Sequence, residues 1–395
     1  MEIQALIDNK VHKINAKIID LRRKIHENPE LGLEVFNTAA LIAKSLSELG
    51  IPYKDGVGKT GIVAVIETNS PGPCILLRAD MDALPLTEMT GLDYSSKIEG
   101  KMHACGHDLH AAALVGVADV LWSLRDQISG TYKLMFQPGE ETLNGAEAMI
   151  ADGVLEDPVP SLAFGFHNWP PLDTGSTAYH PIVSFAGSQG FAISLTGLSG
   201  HGAHPHSSID TIAAAANFIV QLQTVVSREI SPLKPAVISV GRIEGGTAEN
   251  IIAETVTLKG TMRALEPELF ELMRNAIKRL LDGLERGMRI KSEVSFSNQV
   301  PPLVNDQTVL KRVVRSAETT LGKDNVLKMP EDSMGAEDFA YISSVIPAAH
   351  LRIGSRTPGT DTVMIHKPEF SPDEHFLEVA MKLVSRIVID LAAEE

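Results

Sequence analysis

Eight residues, His103-Ala104-Cys105-Gly106-His107-Asp108-Leu109-His110, put one thiol and three imidazoles side by side in a chain with only two cysteines. Thiolate and imidazole together suit borderline divalent metals. Cys105 and His107 stand two apart, which on an extended segment aims both side chains the same way. After Asp108 an apolar run over 111–117 reads as a helix entering the core. A buried cysteine among surface histidines is the plainer alternative. The decision rests on what the rest of the chain brings to this stretch.

It brings carboxylates and more imidazoles. Cys74-Ile75-Leu76-Leu77 is apolar throughout, so 74–79 reads as a central buried strand, and it runs directly into Asp80 and Asp82. A strand over 132–136 leads into Gln137-Pro138-Gly139-Glu140-Glu141, and one over 162–166 ends at His167. Ligands of open α/β sheets bind at the carboxyl ends of strands. Three strands in a row delivering acid or imidazole there is hard to explain by packing. A later loop, after a strand over 348–353, carries His366.

Asp80, Asp82, Cys105, His107, Glu140, Glu141, His167 and His366 exceed what one tetrahedral structural zinc needs. No second Cys-x-x-Cys or histidine pair supports a zinc finger. The surplus points to two divalent ions sharing ligands, whose charge nearly cancels that of the carboxylates and thiolate. Zn, Mn, Co or Ni suits this donor mixture better than Ca or Mg. Glu140 and Glu141 are neighbours whose side chains diverge, so one can bind metal while the other acts on a metal-activated water. That is equipment for general-base hydrolysis.

The positioning elements follow from periodicity. Apolar residues at three- and four-residue steps predict a helix over 4–28, stopped by Asn28-Pro29, and a second over 34–49 ends at Gly50. A strand is expected over 61–67 and a helix over 143–151. Near 185 the texture changes. Strands over 191–195, 236–240, 255–262 and 289–296 alternate there with helices over 209–227 and 266–285, a two-layer unit. Residues 298–395 return to the first texture, with helices over 306–320 and 372–392. The fold class is thus α/β, with one domain over 1–184 and 298–395 and a second, α+β domain inserted over 185–297. In the insert, Ser199-Gly200-His201-Gly202-Ala203-His204-Pro205-His206 concentrates three histidines in a Gly-rich turn. An imidazole from a mobile domain suits a developing oxyanion. Arg263, near a strand end, suits a bidentate grip on a carboxylate or, equally, a surface ion pair.

Composition excludes other classes. The formal charge of −15, without basic blocks, argues against nucleic-acid binding. Two cysteines build no disulfide framework. No apolar stretch approaches the ~20 residues of a membrane span. The chain reads as soluble and cytoplasmic.

Arg23-Lys24-Ile25-His26-Glu27-Asn28-Pro29-Glu30-Leu31-Gly32, Asp80-Met81-Asp82-Ala83-Leu84-Pro85 and the 103–110 motif come in a specific order. So do Gln137 to Glu141, Phe166-His167-Asn168-Trp169-Pro170 and Ser333-Met334-Gly335-Ala336-Glu337-Asp338-Phe339. In this order and spacing, over nearly the whole chain, the sequence resembles the aminoacylase-type metallopeptidase superfamily. The likeness is closer to the amidohydrolase branch of hippurate hydrolases, auxin-conjugate hydrolases and N-acetyl-diaminopimelate deacetylases.

The resemblance implies a mixed-sheet, phosphorylase/hydrolase-like catalytic domain and a ferredoxin-like lid that also dimerises. It implies two metal ions held by Cys105, His107, Glu141, His167 and His366, Glu140 as general acid/base and Asp82 as an orienting group. His201 matches the lid histidine that reaches an active site, while Asn250, Arg263 and His206 match substrate-contacting positions. Asp80 stands where distant relatives have a metal-binding histidine and is left out of the ligand set. Gly139 stands where alanine is common, a change expected to matter little. His204 is an additional histidine. The expected activity is metal-dependent hydrolysis of small N-acyl amino acids, acetyl or benzoyl, by a homodimer. A dipeptidase or small-peptide carboxypeptidase is the alternative, and a cysteine-nucleophile enzyme using Cys105 a more distant one.

Overall fold

The structure, a computed structural model, describes residues 2–393. It divides into two compact units. The first comprises the chain up to Ser184, Val304–Asp332 and the segment from Asp338 onward. The second comprises Phe185–Leu303 and Ser333–Glu337.

The first unit is built on an eight-stranded mixed sheet. Its order is Tyr53–Val57, Gly61–Glu67, Ser129–Gln137, Ser70–Asp80, Leu162–Asp173, Ala348–Arg356, Thr177–Tyr179, Val326–Lys328. Ser129–Gln137, Ser70–Asp80, Leu162–Asp173 and Ala348–Arg356 are parallel neighbours, so their carboxyl ends share one edge. Ile75, Leu76 and Leu77 are buried, as a strand covered on both faces requires.

The helices His107–Leu124 and His375–Ala393 pack on this sheet and against each other. Both are buried over most of their circumference. Gly116 permits the approach, since a Cβ there would lie 2.2 Å from Met381 Sδ and 3.3 Å from Ile18 Cγ1. The outer helix Glu2–His26 buries Ile7, Val11, Ile14, Ile18, Leu21 and Ile25 against them. At about 1.5–3 kcal/mol per side chain, that stripe outweighs the marginal stability of a lone helix in water.

The second unit has a four-stranded antiparallel sheet in the order Ala236–Gly245, Thr255–Ala264, Gly187–Thr196, Lys291–Phe296. Helices Thr211–Thr224 and Glu268–Met288 complete a strand-helix-strand-strand-helix-strand chain order, the ferredoxin-like arrangement. Phe191, Ile193 and Leu195 alternate into a core with Phe218, Leu222, Phe270, Met273 and Ile277. Asp210 caps the first helix by accepting the Ala213 N–H at 3.0 Å.

Several boundaries differ from expectation. The second unit extends past 297 because Ser188 and Val300 exchange backbone hydrogen bonds of 3.0 and 2.9 Å. It also takes Ser333–Glu337, where the Ser333 carbonyl accepts the Ala186 N–H at 2.9 Å. The strand Tyr53–Val57 escaped notice because four of its five residues are exposed, leaving no apolar alternation.

Candidate metal centre

Cys105 and His107 do not lie on an extended segment. Gly106 adopts φ 86°, and His107 is the first residue of the helix His107–Leu124. The turn needs glycine twice over, because a Cβ on Gly106 would also meet Asn168 Nδ2 at 2.5 Å. The cysteine is thereby placed before the helix and the histidine in its first turn. Nor does His167 end its strand. It sits inside Leu162–Asp173, which keeps pairing with Ala348–Arg356 as far as Asp173.

The expected ligands converge. Cys105 Sγ lies 3.4 Å from His167 Nε2 and 3.4 Å from His366 Nε2. Glu141 Oε1 lies 3.5 Å from His366 Nε2 and 3.9 Å from His107 Nε2. Two donors on one ion of this class stand roughly 3–4 Å apart, so these separations fit. His107 carries the other sign of a metal position. Both its ring nitrogens are buried without a hydrogen-bond partner, although Asp82, Asp80 and Glu140 stand at 3.5, 3.7 and 3.8 Å. His366 holds its place at φ 62°, a conformation uncommon outside glycine, with its N–H donated to the Ala104 carbonyl at 2.8 Å.

The electrostatics agree. Burial by itself would depress the His107 imidazole, but Asp80, Asp82 and Glu141 raise it to about 10. The pocket draws positive charge. Burial and the carboxylates of Glu141, Glu140 and Asp80 push the Cys105 thiol well above its usual value. Burial keeps His167 well below its ordinary value. Its Nδ1–H donates to the Asn168 carbonyl at 2.7 Å, so the Nε2 lone pair faces Cys105.

Asp82 ties the carboxylate pair together. Its Oδ1 accepts the Glu140 N–H at 2.9 Å and its Oδ2 the Glu141 N–H at 3.2 Å. Asp80 is occupied by Arg78 at 2.7 Å and His110 Nδ1 at 2.6 Å. His110 Nε2 accepts the Asn168 N–H at 2.9 Å, so protein groups engage both its ring nitrogens, although Asp80, His107, His110 and His167 also stand close enough together to hold an ion. Gly139 is more constrained than expected. Its φ is 70°, and an alanine Cβ would meet Leu33 Cδ2 at 2.6 Å.

Sequence reasoning missed Arg78, Gln137, Asn168 and the part played by Asp338. Arg78 donates to Gln137 at 2.8 Å and to Asp338 at 2.9 Å, and Asp338 also accepts the Ala146 N–H at 2.9 Å. The available signal was polar residues within otherwise apolar strands.

The early motif has a separate task. Asp108, next to His107, accepts from Arg22 Nε at 2.6 Å and His26 Nδ1 at 2.8 Å, and His26 Nε2 lies 3.2 Å from Glu88. Burial lowers the neighbouring His103 to about 3, so it stays neutral. Burial would raise the Glu88 carboxyl, but hydrogen bonds from His26, Thr90 and Ser96 hold it at about 2. A folded value below the unfolded one gives stability that is complete above pH ~4.3 and is lost as pH falls toward the folded value. Between pH 5 and pH 2 the wild type should lose up to about 3 kcal/mol more than Glu88→Gln. Urea unfolding of both proteins across that range reads the difference, and parallel curves would refute it.

In the second unit, His201 pairs with Ile251 and its Nδ1 accepts the Ala203 N–H at 3.0 Å. The Asn250 carbonyl accepts the Gly202 N–H at 2.8 Å. His206 lies in the exposed turn Pro205–Ser207. Half-buried Arg263 donates one guanidinium N–H to the Met334 carbonyl at 2.9 Å. Each unit thus holds its own part of the expected set.

Residues 76–390 match the family described as Peptidase family M20/M25/M40. The N-acetyl-L-cysteine deacetylase of Bacillus subtilis (strain 168) is 38% identical over 361 residues, 91% of this chain and 85% of that protein. The IAA-amino acid hydrolase ILR1-like 4 of Arabidopsis thaliana is 36% identical over 95% of this chain and 87% of its own length. Among solved structures, the Bacillus subtilis YXEP protein, described as a dinuclear metal binding peptidase from the M20 family, aligns with a TM-score of 0.82 at 33% identity. That alignment covers 97% of this chain and 99% of the other. Among the described residues no helix is long and apolar enough to cross a membrane. With a converging donor set and relatives that match it nearly end to end, the chain belongs to peptidase family M20/M25/M40 and is a metal-dependent amidohydrolase.

Proposed function

We propose that the protein hydrolyses the amide bond of small N-acyl amino acids, using two divalent ions held by Cys105, His107, Glu141, His167 and His366. Zn, Mn, Co and Ni match this donor chemistry. When bound, the ions polarise the scissile carbonyl and acidify water. The observation that carries the reading is the carboxylate pair. Asp82 fixes the backbone of both Glu140 and Glu141, while the two side chains keep separate tasks. Glu141 stands with His366 among the donors. Glu140 takes the proton of the attacking water and returns it to the leaving amine.

From the second unit, His201 supplies an N–H to the oxyanion. Its Nδ1 accepts from Ala203, so in the neutral ring the proton is on Nε2. Asn250, Arg263 and His206 contact the substrate. A second copy pairs through the second unit, whose edge strand Ala236–Gly245 is largely exposed. Cys74 and Cys105, both outside any disulfide, suit a reducing cytoplasm.

The test is hydrolysis of N-acetyl, N-benzoyl and glycyl derivatives of one amino acid by protein loaded separately with Mn, Zn, Co or Ni. The acyl derivatives should exceed the glycyl peptide in kcat/KM by at least about tenfold, roughly 1.4 kcal/mol of transition-state discrimination. The reverse order would overturn the assignment in favour of a peptidase.

A further inference from the structure

Asn168 is not among the proposed ligands, yet it is tied to the backbone of one and adjoins another. It follows His167 in the strand Leu162–Asp173, and alternation turns its side chain to the opposite face, where Phe164 and Phe166 enter the apolar core. A fully buried amide there is costly unless its polar atoms are bonded. They are. Nδ2 donates to the Cys105 carbonyl at 2.5 Å and to His110 Nε2 at 3.1 Å, and Oδ1 accepts the Ser355 hydroxyl at 3.1 Å. These partners fix which way the amide faces.

The backbone around the thiol is fastened to the same two segments that its sulfur meets. Cys105 Sγ stands 3.4 Å from both His167 and His366. On the His366 side, the Ala104 carbonyl accepts the His366 N–H at 2.8 Å. On the His167 side, the Cys105 carbonyl accepts from Asn168. Main chain makes the first tie, so almost any residue at 366 would keep it. A side chain makes the second, so residue type decides it. We propose that Asn168 is a positioning residue of the metal centre, setting the spacing at which the Cys105 thiolate and the His167 imidazole share an ion. That role rests on the ligand set proposed above. Without the amide, the buried Cys105 carbonyl loses this donor, and the turn recovers one only by moving the carbonyl and the thiol with it.

The test replaces Asn168 with leucine, which keeps a branched shape and removes the donors. Metal-free wild type, Asn168→Leu and Ser355→Ala are titrated with Co2+ against a competing chelator while the near-ultraviolet thiolate-to-cobalt absorption is recorded. Wild type should show that band. Asn168→Leu should hold Co2+ at least about tenfold more weakly, with a weaker or shifted band. Ser355→Ala keeps both donors and should stay within about threefold of wild type. Asn168→Ala, which cannot overpack the core, should repeat the leucine result if the leucine variant does not fold. Thermal melting of the metal-free proteins reads packing separately. A lower melting temperature with unchanged Co2+ affinity and band shows that Asn168 only fills space and overturns the proposal. An equal loss of affinity in Ser355→Ala overturns it too. A wild type without the band strikes Cys105 from the ligand set, and the proposal falls with it. No substrate is needed, so these outcomes stand apart from whether N-acyl amino acids are hydrolysed.

Discussion

Glu140→Ala lowers kcat by about 10²–10⁴-fold and leaves the bound metal in place. The Glu140 carboxylate stands 3.8 Å from His107 Nε2, beside the proposed ligands and outside the set proposed to hold metal. On the proposed mechanism, removing it takes away the group that moves a proton at two stages, water attack and amine departure. The loop should not shift, because Asp82 holds the backbone N–H of residue 140, which alanine retains. KM should change little, as the loss falls on the transition state. Initial rates together with metal analysis of the purified variant check this. Activity within tenfold of wild type would remove Glu140 from the proton path, and lost metal would make it a ligand.

Cys105→Ser should act the other way round, through metal content. Its Sγ is 3.4 Å from both His167 and His366, so the cysteine joins two imidazoles contributed by distant parts of the chain. A serine hydroxyl keeps its proton and is a poor ligand. The affinity loss should exceed the ~10–100-fold that follows removal of an outer-shell partner. Dialysed variant should carry less metal and regain part of its activity in excess metal. It should also melt at a lower temperature, since an ion held at 1,000 times its Kd stabilises by about 4 kcal/mol. Unchanged metal stoichiometry would strike Cys105 from the ligand set.

Much of the first unit was legible because its signals are redundant. The buried strand Ser70–Asp80 announces itself by apolar residues, and its end by two aspartates. Cys105 and His107 were recognisable as donors, but the turn between them was not. Residue type reports what Gly106 permits, whereas its φ of 86° depends on Asn168 packing against it. Likewise, nothing in the identity of Gly139 tells that Leu33 packs against it. Asn168 and Arg78 stand out in sequence only as polar residues within apolar strands. Each matters through partners far off in sequence, such as Asp338 for Arg78, and periodicity carries no such information.

The division of the first unit has a bearing on how the protein is made. Its sheet needs Ala348–Arg356, its donor set needs His366, and its core needs the helix His375–Ala393, all from the end of the chain. Phe185–Leu303, by contrast, is one continuous stretch. On the ribosome, where chains emerge amino end first, the middle of this protein has its sheet and both helices at hand while Leu162–Asp173 still lacks its parallel neighbour Ala348–Arg356. The amino-terminal half therefore keeps one edge of its sheet, and the surface that the helix His375–Ala393 covers, open until translation is nearly finished. Nascent-chain aggregation and chaperone demand should fall on that half.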